Sequence, residues 1–372
     1  MNGAAARIDV IDPSTGSRLS VVRTPGAAWD QLQLDLTSGG VELPVESHSG
    51  LPIAGRERRV LFGISDANGR LRWGGVADVG RSRIVPWRSV VRVHRVGRGM
   101  SADVDDTAAA VLSLVAQTEK ALRIHVELSD PDTSARARIS ELLLARGYQA
   151  VTAPRQYVRT ILINLRQTEA ALMASFHATG RRHIRGFSKY PLRCELLTDQ
   201  RWAGRLRALD AETMLRTNGS LDSLSWPDML RFVTEHPTHA ALLGVVRIDA
   251  SDENALVGYV LGVRHGDTVE YRRAASTRIE SLRAPLLYAP TWQLMRWAQE
   301  VGAGWFDFGG VGDGSHASGE ATGGISDFKR YFSDVTTEVG AELTYSPAVY
   351  LDTLARAIAS GAGAMTRALR RR

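Results

Sequence analysis

This 372-residue chain carries 43 arginines and three lysines, Lys120, Lys189 and Lys329. Codon bias toward GC-rich DNA accounts for the excess of arginine. It directs attention to the places where lysine persists, because a compact ammonium and a planar guanidinium are not interchangeable. Lys329 falls in the most distinctive stretch, Trp305 to Tyr350. There an apolar run, WFDFGG, enters Gly309-Gly310, where loop backbone can come close to a ligand. A loop rich in glycine, serine and histidine continues through Gly324, suited to a segment that moves over a site. Ile325–Phe332 then offers a short helix bearing Phe328, Lys329 and Arg330. Composition alone makes this a substrate loop with a cation beside it. A second concentration of charge, Arg181, Arg182, Arg185, Lys189 and Arg193, has no acid between its ends. Such a run binds phosphates in a salt-sensitive way, or it is a solvated helix face.

Those residues need elements to hold them. Arg59–Ser65, Arg70–Asp78 and Ser82–Val93 read as a strand meander, with the turn Asp66-Ala67-Asn68-Gly69 between the first two. Asp103–Leu122 has the apolar spacing of a helix, His125–Leu128 is a short strand, and Thr133–Arg146 is a helix closed by Gly147. A second series opens at the alternating strand Tyr157–Leu165. Thr168–Ser188 reads as one long basic helix, and Arg201–Thr217 and Trp226–Thr234 as two more. Ala240–Asp249, Ala255–His265 and Thr268–Ser276 form a three-strand meander. Pro285–Val301 is a helix with Pro285 in its first turn, Trp305–Phe308 a buried strand, and Thr336–Tyr345 the closing strand. Ser346-Pro347 opens a terminal helix, Ala348–Ser360, ahead of the basic tail Arg367–Arg372, which is a solvated end or a nucleic-acid contact.

The order β, α, α, β-meander, α, β, α, β resembles the GCN5-related acyltransferase fold, and the first half is a looser version of it. The expected class is α/β (α+β), with two tandem GCN5-related N-acyltransferase-like domains on mixed central sheets. They span residues 1–156, joined by the terminal helix 347–372, and residues 157–346. A 44% hydrophobic and 23% charged composition excludes wholesale disorder. The single Cys194 excludes a disulfide framework and any cysteine-cluster metal site, and no Glu/His spacing suits a metal. A net charge of +6 mildly favours anionic partners. Apolar runs such as Ala109–Ala116 fall short of the roughly 18–20 residues that cross a bilayer. No signal-peptide pattern precedes Gly16. The expectation is a cytoplasmic protein with no integral membrane segment, for which peripheral membrane contact stays open.

Four motifs together resemble the closing signature of the Fem family, the aminoacyl-tRNA-dependent peptidyltransferases of peptidoglycan cross-bridge synthesis. They are Asp307-Phe308-Gly309-Gly310, Gly324-Ile325-x-x-Phe328-Lys329, Glu338-Val339-Gly340 and Pro347-x-x-Tyr350. Thr160–Leu165 and the basic helix after it, with Arg182, Ile184, Arg185 and Lys189, look like that family's entry to its second domain. Arg98-Gly99-Met100-Ser101-Ala102-Asp103 is similar to its Arg-Gly-Pro-x-x-Asp element, with Met100 in place of proline. The resemblance covers roughly residues 40–350, specific toward the C terminus and loose in the first domain.

The resemblance implies that an amine of a UDP- or lipid-linked peptidoglycan precursor attacks an aminoacyl ester on tRNA through a tetrahedral oxyanion. No cofactor is implied; aminoacyl-tRNA is the co-substrate. Lys329 would then hold the oxyanion or a phosphate, with an ordinary surface lysine as the other reading. Phe328 would pack beside the acyl group, or serve as a core aromatic. Asp103 would orient the amine or take its proton, or cap the following helix. Arg98 would bind the precursor diphosphate, and Arg216 would contact substrate. Arg182, Arg185 and Lys189 would meet tRNA phosphates. The family's other first-domain lysine has no clear counterpart among Arg56, Arg58 and Arg59.

Other chemistries have weaker footing. The same chemistry on a natural-product amine fits the same residues. An acetyl-CoA-dependent N-acetyltransferase would need a pyrophosphate loop, which His94-Arg-Val-Gly-Arg-Gly99 nearly matches. That segment reads as part of the meander, and Thr277–Ala284, ahead of the Pro285 helix, has no glycine. Ser315-His316 lacks an orienting acid for a nucleophilic triad. A fold that has lost turnover, or that only binds RNA, would rest on charge alone.

Overall fold

A computed structural model places the alternating apolar segments of the chain in two mixed sheets. The structure describes residues 7–23, 29–30, 51, 58–97, 104–154, 157–217, 224–250, 252–278, 284–311 and 323–358. Arg98 and Asp103 lie outside the described residues, as do residues 312–322 of the glycine-rich loop and the basic tail. The chain divides into two compact units, Met1–Ser49 with Arg56–Gln156 and Val339–Arg372, and Gly50–Gly55 with Tyr157–Glu338.

In the first unit, β1 (Arg7–Ile11), β2 (Arg18–Val22), β3 (Arg58–Ser65), β4 (Leu71–Arg81) and β5 (Ser89–Gly97) form an antiparallel meander. Helix α1 (Asp105–Thr118) crosses over to β6 (Ala121–Ser129), which runs parallel to β5. Helix α2 (Thr133–Ala145) and β7 (Gln149–Ala150) follow. Alternate residues of these strands, Val60, Phe62, Val91, Val93, Ile124 and Val126, face one core, the period of two that a pleated strand imposes. The strands β1 and β2 have no counterpart in the sequence reading, since each is only five residues long and carries arginine at its start.

The second unit repeats the plan. It contains β8 (Arg159–Asn164), α3 (Glu169–Ser175), α4 (Ala178–Arg185), β9 (Leu192–Leu196), α5 (Ala203–Thr217) and α6 (Trp226–Glu235). The meander β10 (Ala240–Arg247), β11 (Leu256–His265) and β12 (Thr268–Ser276) comes next. Helix α7 (Tyr288–Glu300), β13 (Trp305–Gly310), α8 (Gly323–Arg330) and β14 (Thr337–Glu338) complete it. The strand order is β14-β8-β13-β12-β11-β10-β9, and only β12 and β13 are parallel. Both sheets are therefore a meander plus one parallel step over a crossover helix, the tandem arrangement expected from the order of elements.

Three expectations change. The segment Thr336–Tyr345 is divided. Thr337–Glu338 pairs with β8, but β15 (Gly340–Tyr345) belongs to the first sheet, between β6 and β7. A second domain closing at residue 346 is corrected accordingly: the turnover between the units falls at Glu338/Val339. The long helix over Thr168–Ser188 is also two helices and a 3-10 turn, Gly186–Lys189. Phe176 and His177 are extended between the helices; the Phe176 ring enters the core, and His177 Nδ1 accepts from Thr179 N at 3.2 Å to start α4. Finally, α7 begins three residues after Pro285, and Pro290 is the proline in its first turn. The last helix, α9 (residues 349–358), belongs to the first unit.

Helix α4 is docked through backbone. His177 N donates to the Tyr331 carbonyl at 3.0 Å. A Cβ on Gly180 would sit 2.7 Å from that carbonyl oxygen, with no flexible side chain to yield. Gly180→Ala is expected to destabilise the fold by about 1–3 kcal/mol, as overpacking does. Urea unfolding measures it, and an unchanged midpoint would show that the helix shifts freely.

Candidate active site

The two parallel steps differ in length. Between β5 and β6 the ladder runs from Ser89↔Ala121 to Gly97↔Ser129. Between β12 and β13 it has three register pairs, Thr268↔Trp305, Val269↔Phe306 and Glu270↔Asp307, although β12 continues to Ser276 and β13 to Gly310. The second sheet opens at its middle, and the residues at the opening are charged.

Glu270 and Asp307 are the last pair, and both are buried. Like charges directly across a ladder repel, so each carboxylate needs compensation. Asp307 accepts from the Thr160 hydroxyl and from Gly309 N at 2.7 Å. Arg272 Nη1 reaches Glu270 at 3.4 Å. The third charge is Lys329 on α8, only 6% exposed, whose Nζ donates to the Gly310 carbonyl at 2.6 Å. An ammonium has three N–H donors, and this bond engages one of them. Burial pulls the Lys329 pKa down to about 8, while the Asp307 and Glu270 carboxylates act in the opposite direction. Gly310 is required by contact: a Cβ there would lie 2.7 Å from the Tyr157 Cβ.

Aromatic rings pack around this cluster. Phe328 lies 4.9 Å from Tyr288 and 5.4 Å from Phe332, and Tyr271, the first residue past the ladder, is 5.6 Å from Phe308. Burial raises the Tyr271 phenol, against a hydrogen bond with Thr291, and pushes the Tyr288 phenol up to about 12, with Tyr331 adding to it. The result is an apolar-walled opening between two parallel strands with one buried ammonium at its root.

No protein-family model matches the chain, and no curated protein matches it by sequence. Solved structures do. A crystal structure of FemX aligns at a TM-score of 0.65 with 16% identity, over 80% of this chain and 90% of that one. The structure of L-PGS from Bacillus licheniformis aligns at 0.52 with 14% identity, over 94% of this chain and 98% of that one. The chain has the Fem-like fold.

Within that Fem-like fold the expected residues take different places. Lys120 and Lys189 are exposed, so Lys329 is the buried lysine of the three, and the surface-lysine reading of Lys329 is corrected. Phe328 is half-buried beside the same opening. Arg182, Arg185 and Lys189 are exposed on α4 and the turn after it, at i, i+3 and i+7. Their neighbours in sequence are engaged elsewhere. Arg181 donates to the Ala174 and Phe176 carbonyls, and Arg193 pairs with Glu195 at 2.8 Å. Arg216 ends α5 and donates to the Ser276 carbonyl at 3.1 Å. That is six residues beyond Glu270, about 20 Å of extended strand, so the structure does not bring Arg216 to Lys329.

In the first unit, α1 starts with Val104 at its N-cap and no capping side chain. Arg58 pairs with Glu119, and Arg59 with Asp78 at 3.5 Å. His94–Gly97 ends β5, so the segment resembling a pyrophosphate loop leads to a crossover and is not in mid-meander; the β5–β6 register shifts beside it, between Val93 and Val96, and Arg95 has a φ of +46°. Sequence reasoning assigned no role to Glu270, Asp307 or Thr160. The signal for Asp307 was a carboxylate inside an apolar strand, since unpaired acids are almost never fully buried. Glu270 sits in a strand of mixed polarity and carries no such mark. Among the described residues no cluster of ligands suits a metal.

Lys329 titrates near 8 in the folded chain and near 10.5 when unfolded. Between those values the unfolded chain binds more protons, so this residue makes stability rise with pH. Denaturant titrations of wild type and Lys329→Met from pH 7 to pH 10.5 are expected to show wild type gaining relative to the variant across that window. A constant difference would mean that Lys329 is solvated.

Proposed function

We propose that this chain is an acyltransferase that joins an aminoacyl group carried on tRNA to an amine of a peptidoglycan precursor, UDP- or lipid-linked. The observation that carries the reading is Lys329: a buried ammonium held by the Gly310 carbonyl where the β12–β13 ladder ends. The amine nitrogen bonds to the ester carbonyl carbon, the C–O bond to the ribose breaks, and the proton lost by the amine ends on the ribose oxygen. Negative charge gathers meanwhile on the carbonyl oxygen. A preorganised ammonium in a poorly hydrated site stabilises that charge far better than water would. Phe328 supplies an apolar wall for the acyl group.

The aminoacyl-tRNA donor is supported by the Fem-like fold and by the exposed cations Arg182 and Arg185 on α4 and Lys189 in the turn after it. Use of acetyl-CoA is disfavoured by the glycine-free Thr277–Ala284. Arg98 and Asp103 keep their expected roles toward the diphosphate and the amine as part of this proposal. The cytoplasm, where charged tRNA and precursor meet, is its natural location.

Purified protein incubated with radiolabelled aminoacyl-tRNA and candidate amines is expected to transfer label, with transfer abolished by prior RNase. Label transfer that survives RNase, or activity supported only by acetyl-CoA, would overturn the donor assignment. Lys329→Ala is expected to lower turnover about 10²–10³-fold, the cost of losing one oxyanion donor. Lys329→Arg, which keeps the charge but not its shape, separates loss of function from loss of fold. In wild type the turnover should decline above pH 8 as Lys329 loses its proton, a decline absent from any residual Lys329→Arg activity. Replacing Arg182 and Arg185 together should weaken tRNA binding mainly at low salt; unchanged binding would return them to a solvated face.

A further inference from the structure

Helix α9 has two dissimilar faces. Ala355, with Leu351 beside it, packs on Ile84, Val85 and Leu122, and Asp352 beneath is held by Arg123 and by Ser346 at 2.8 Å. One residue round the helix, about 100° away, a second apolar row at i, i+4 and i+8 meets solvent: Tyr350 is 92% exposed, Leu354 58% and Ile358 49%. Val349 is exposed as well. The turn that supports the helix adds a large aromatic side chain. Val85 contacts the helix cluster, Arg88 N closes the turn onto the Val85 carbonyl at 2.9 Å, and Trp87 between them is 68% exposed. Scattered apolar side chains on a surface need no explanation, but an apolar row along one helix face does.

The exposed charges of the helix and of its supporting turn are arginines. Arg81 and Arg83 in the supporting turn are exposed, and Arg356 on the helix is half exposed while bonded to Asp352. From Thr353 to Arg372 the sequence contains five arginines and no acid. An exposed apolar stripe on a helix, with a supporting turn that exposes a tryptophan and arginines, is the composition of an interfacial element.

We propose that this face, α9 with the Arg81–Arg88 turn, docks peripherally on an anionic lipid surface. A second copy of the chain is a poorer occupant. A two-fold contact would set the same patch against itself, bringing Arg81, Arg83 and Arg356 of both copies into one contact. RNA would satisfy the arginines but would leave Leu354 and Ile358 without an apolar partner. A bilayer of acidic lipid satisfies both, each arginine near the surface contributing to binding. The site lies within the first unit, and it does not depend on the assignment of Lys329.

Flotation of the full chain with vesicles tests it directly. Vesicles of phosphatidylcholine mixed with phosphatidylglycerol should carry several-fold more protein than phosphatidylcholine alone, and the difference should shrink as salt is raised. Leu354→Glu with Ile358→Glu should lower the bound fraction several-fold, and Trp87→Ser should lower it further in combination. Circular dichroism and thermal unfolding of these surface variants establish that they are folded. Equal flotation with both vesicles, or flotation that the double variant leaves unchanged, would overturn the proposal. So would a dimer that the double variant dissociates, or loss of tRNA binding in that variant without any vesicle binding. None of these readouts requires turnover, so the acyltransferase reading stands or falls separately.

Discussion

The second sheet is organised around a ladder that ends after three register pairs. A parallel ladder that stops while its strands continue leaves backbone and side chains at the divergence to find other partners. Here they do so locally. Gly310 gives its carbonyl to Lys329, Thr160 bonds both Asp307 and the Gly309 carbonyl, and the rings of Tyr271, Phe308 and Phe328 pack beside the opening. The neighbouring elements serve this arrangement. Helix α4 holds the Tyr331 carbonyl just past Lys329, and Tyr157 lies against Gly310. The first sheet has the same parallel step over a longer ladder, whose register shifts between Val93 and Val96.

Electrostatics within the opening follow from burial more than from pairing. Two carboxylates sit near Lys329, yet the loss of hydration around its ammonium outweighs them. The group is charged at neutral pH and close enough to its midpoint to give up that charge readily. At the surface the balance is different. Many arginines there are matched with short-range acids, as in Arg247 with Asp249 and Arg166 with Asp267. Net charge therefore says little about where anions would bind, and the local runs say more.

Much of this was legible in the sequence because it is written with local rules. The meander Ala240–Ser276 shows the period of strands, and the glycine pair before the Phe328-Lys329 helix marks a loop of unusual backbone. What was not legible depends on contacts between distant segments. The break at Phe176-His177 is invisible to helix periodicity, because it arises from a ring entering the core and a glycine meeting the Tyr331 carbonyl. Arg216 looked like a substrate contact by its place after a helix, and only the length of β12 separates it from Lys329. The pairing of Glu270 with Asp307 needs the parallel register, which no spacing along the chain encodes.

The position of β15 has a consequence for synthesis. This strand fills the first sheet between β6 and β7, yet it is encoded after the whole of the second unit. Its Glu342 is buried against His125 at 2.9 Å, and among the described residues β7 pairs with no other strand. A nascent chain leaving the ribosome therefore carries a first sheet with an open slot until residue 345 has emerged. The unit that begins first finishes last, so maturation of the first unit is timed by translation of the second.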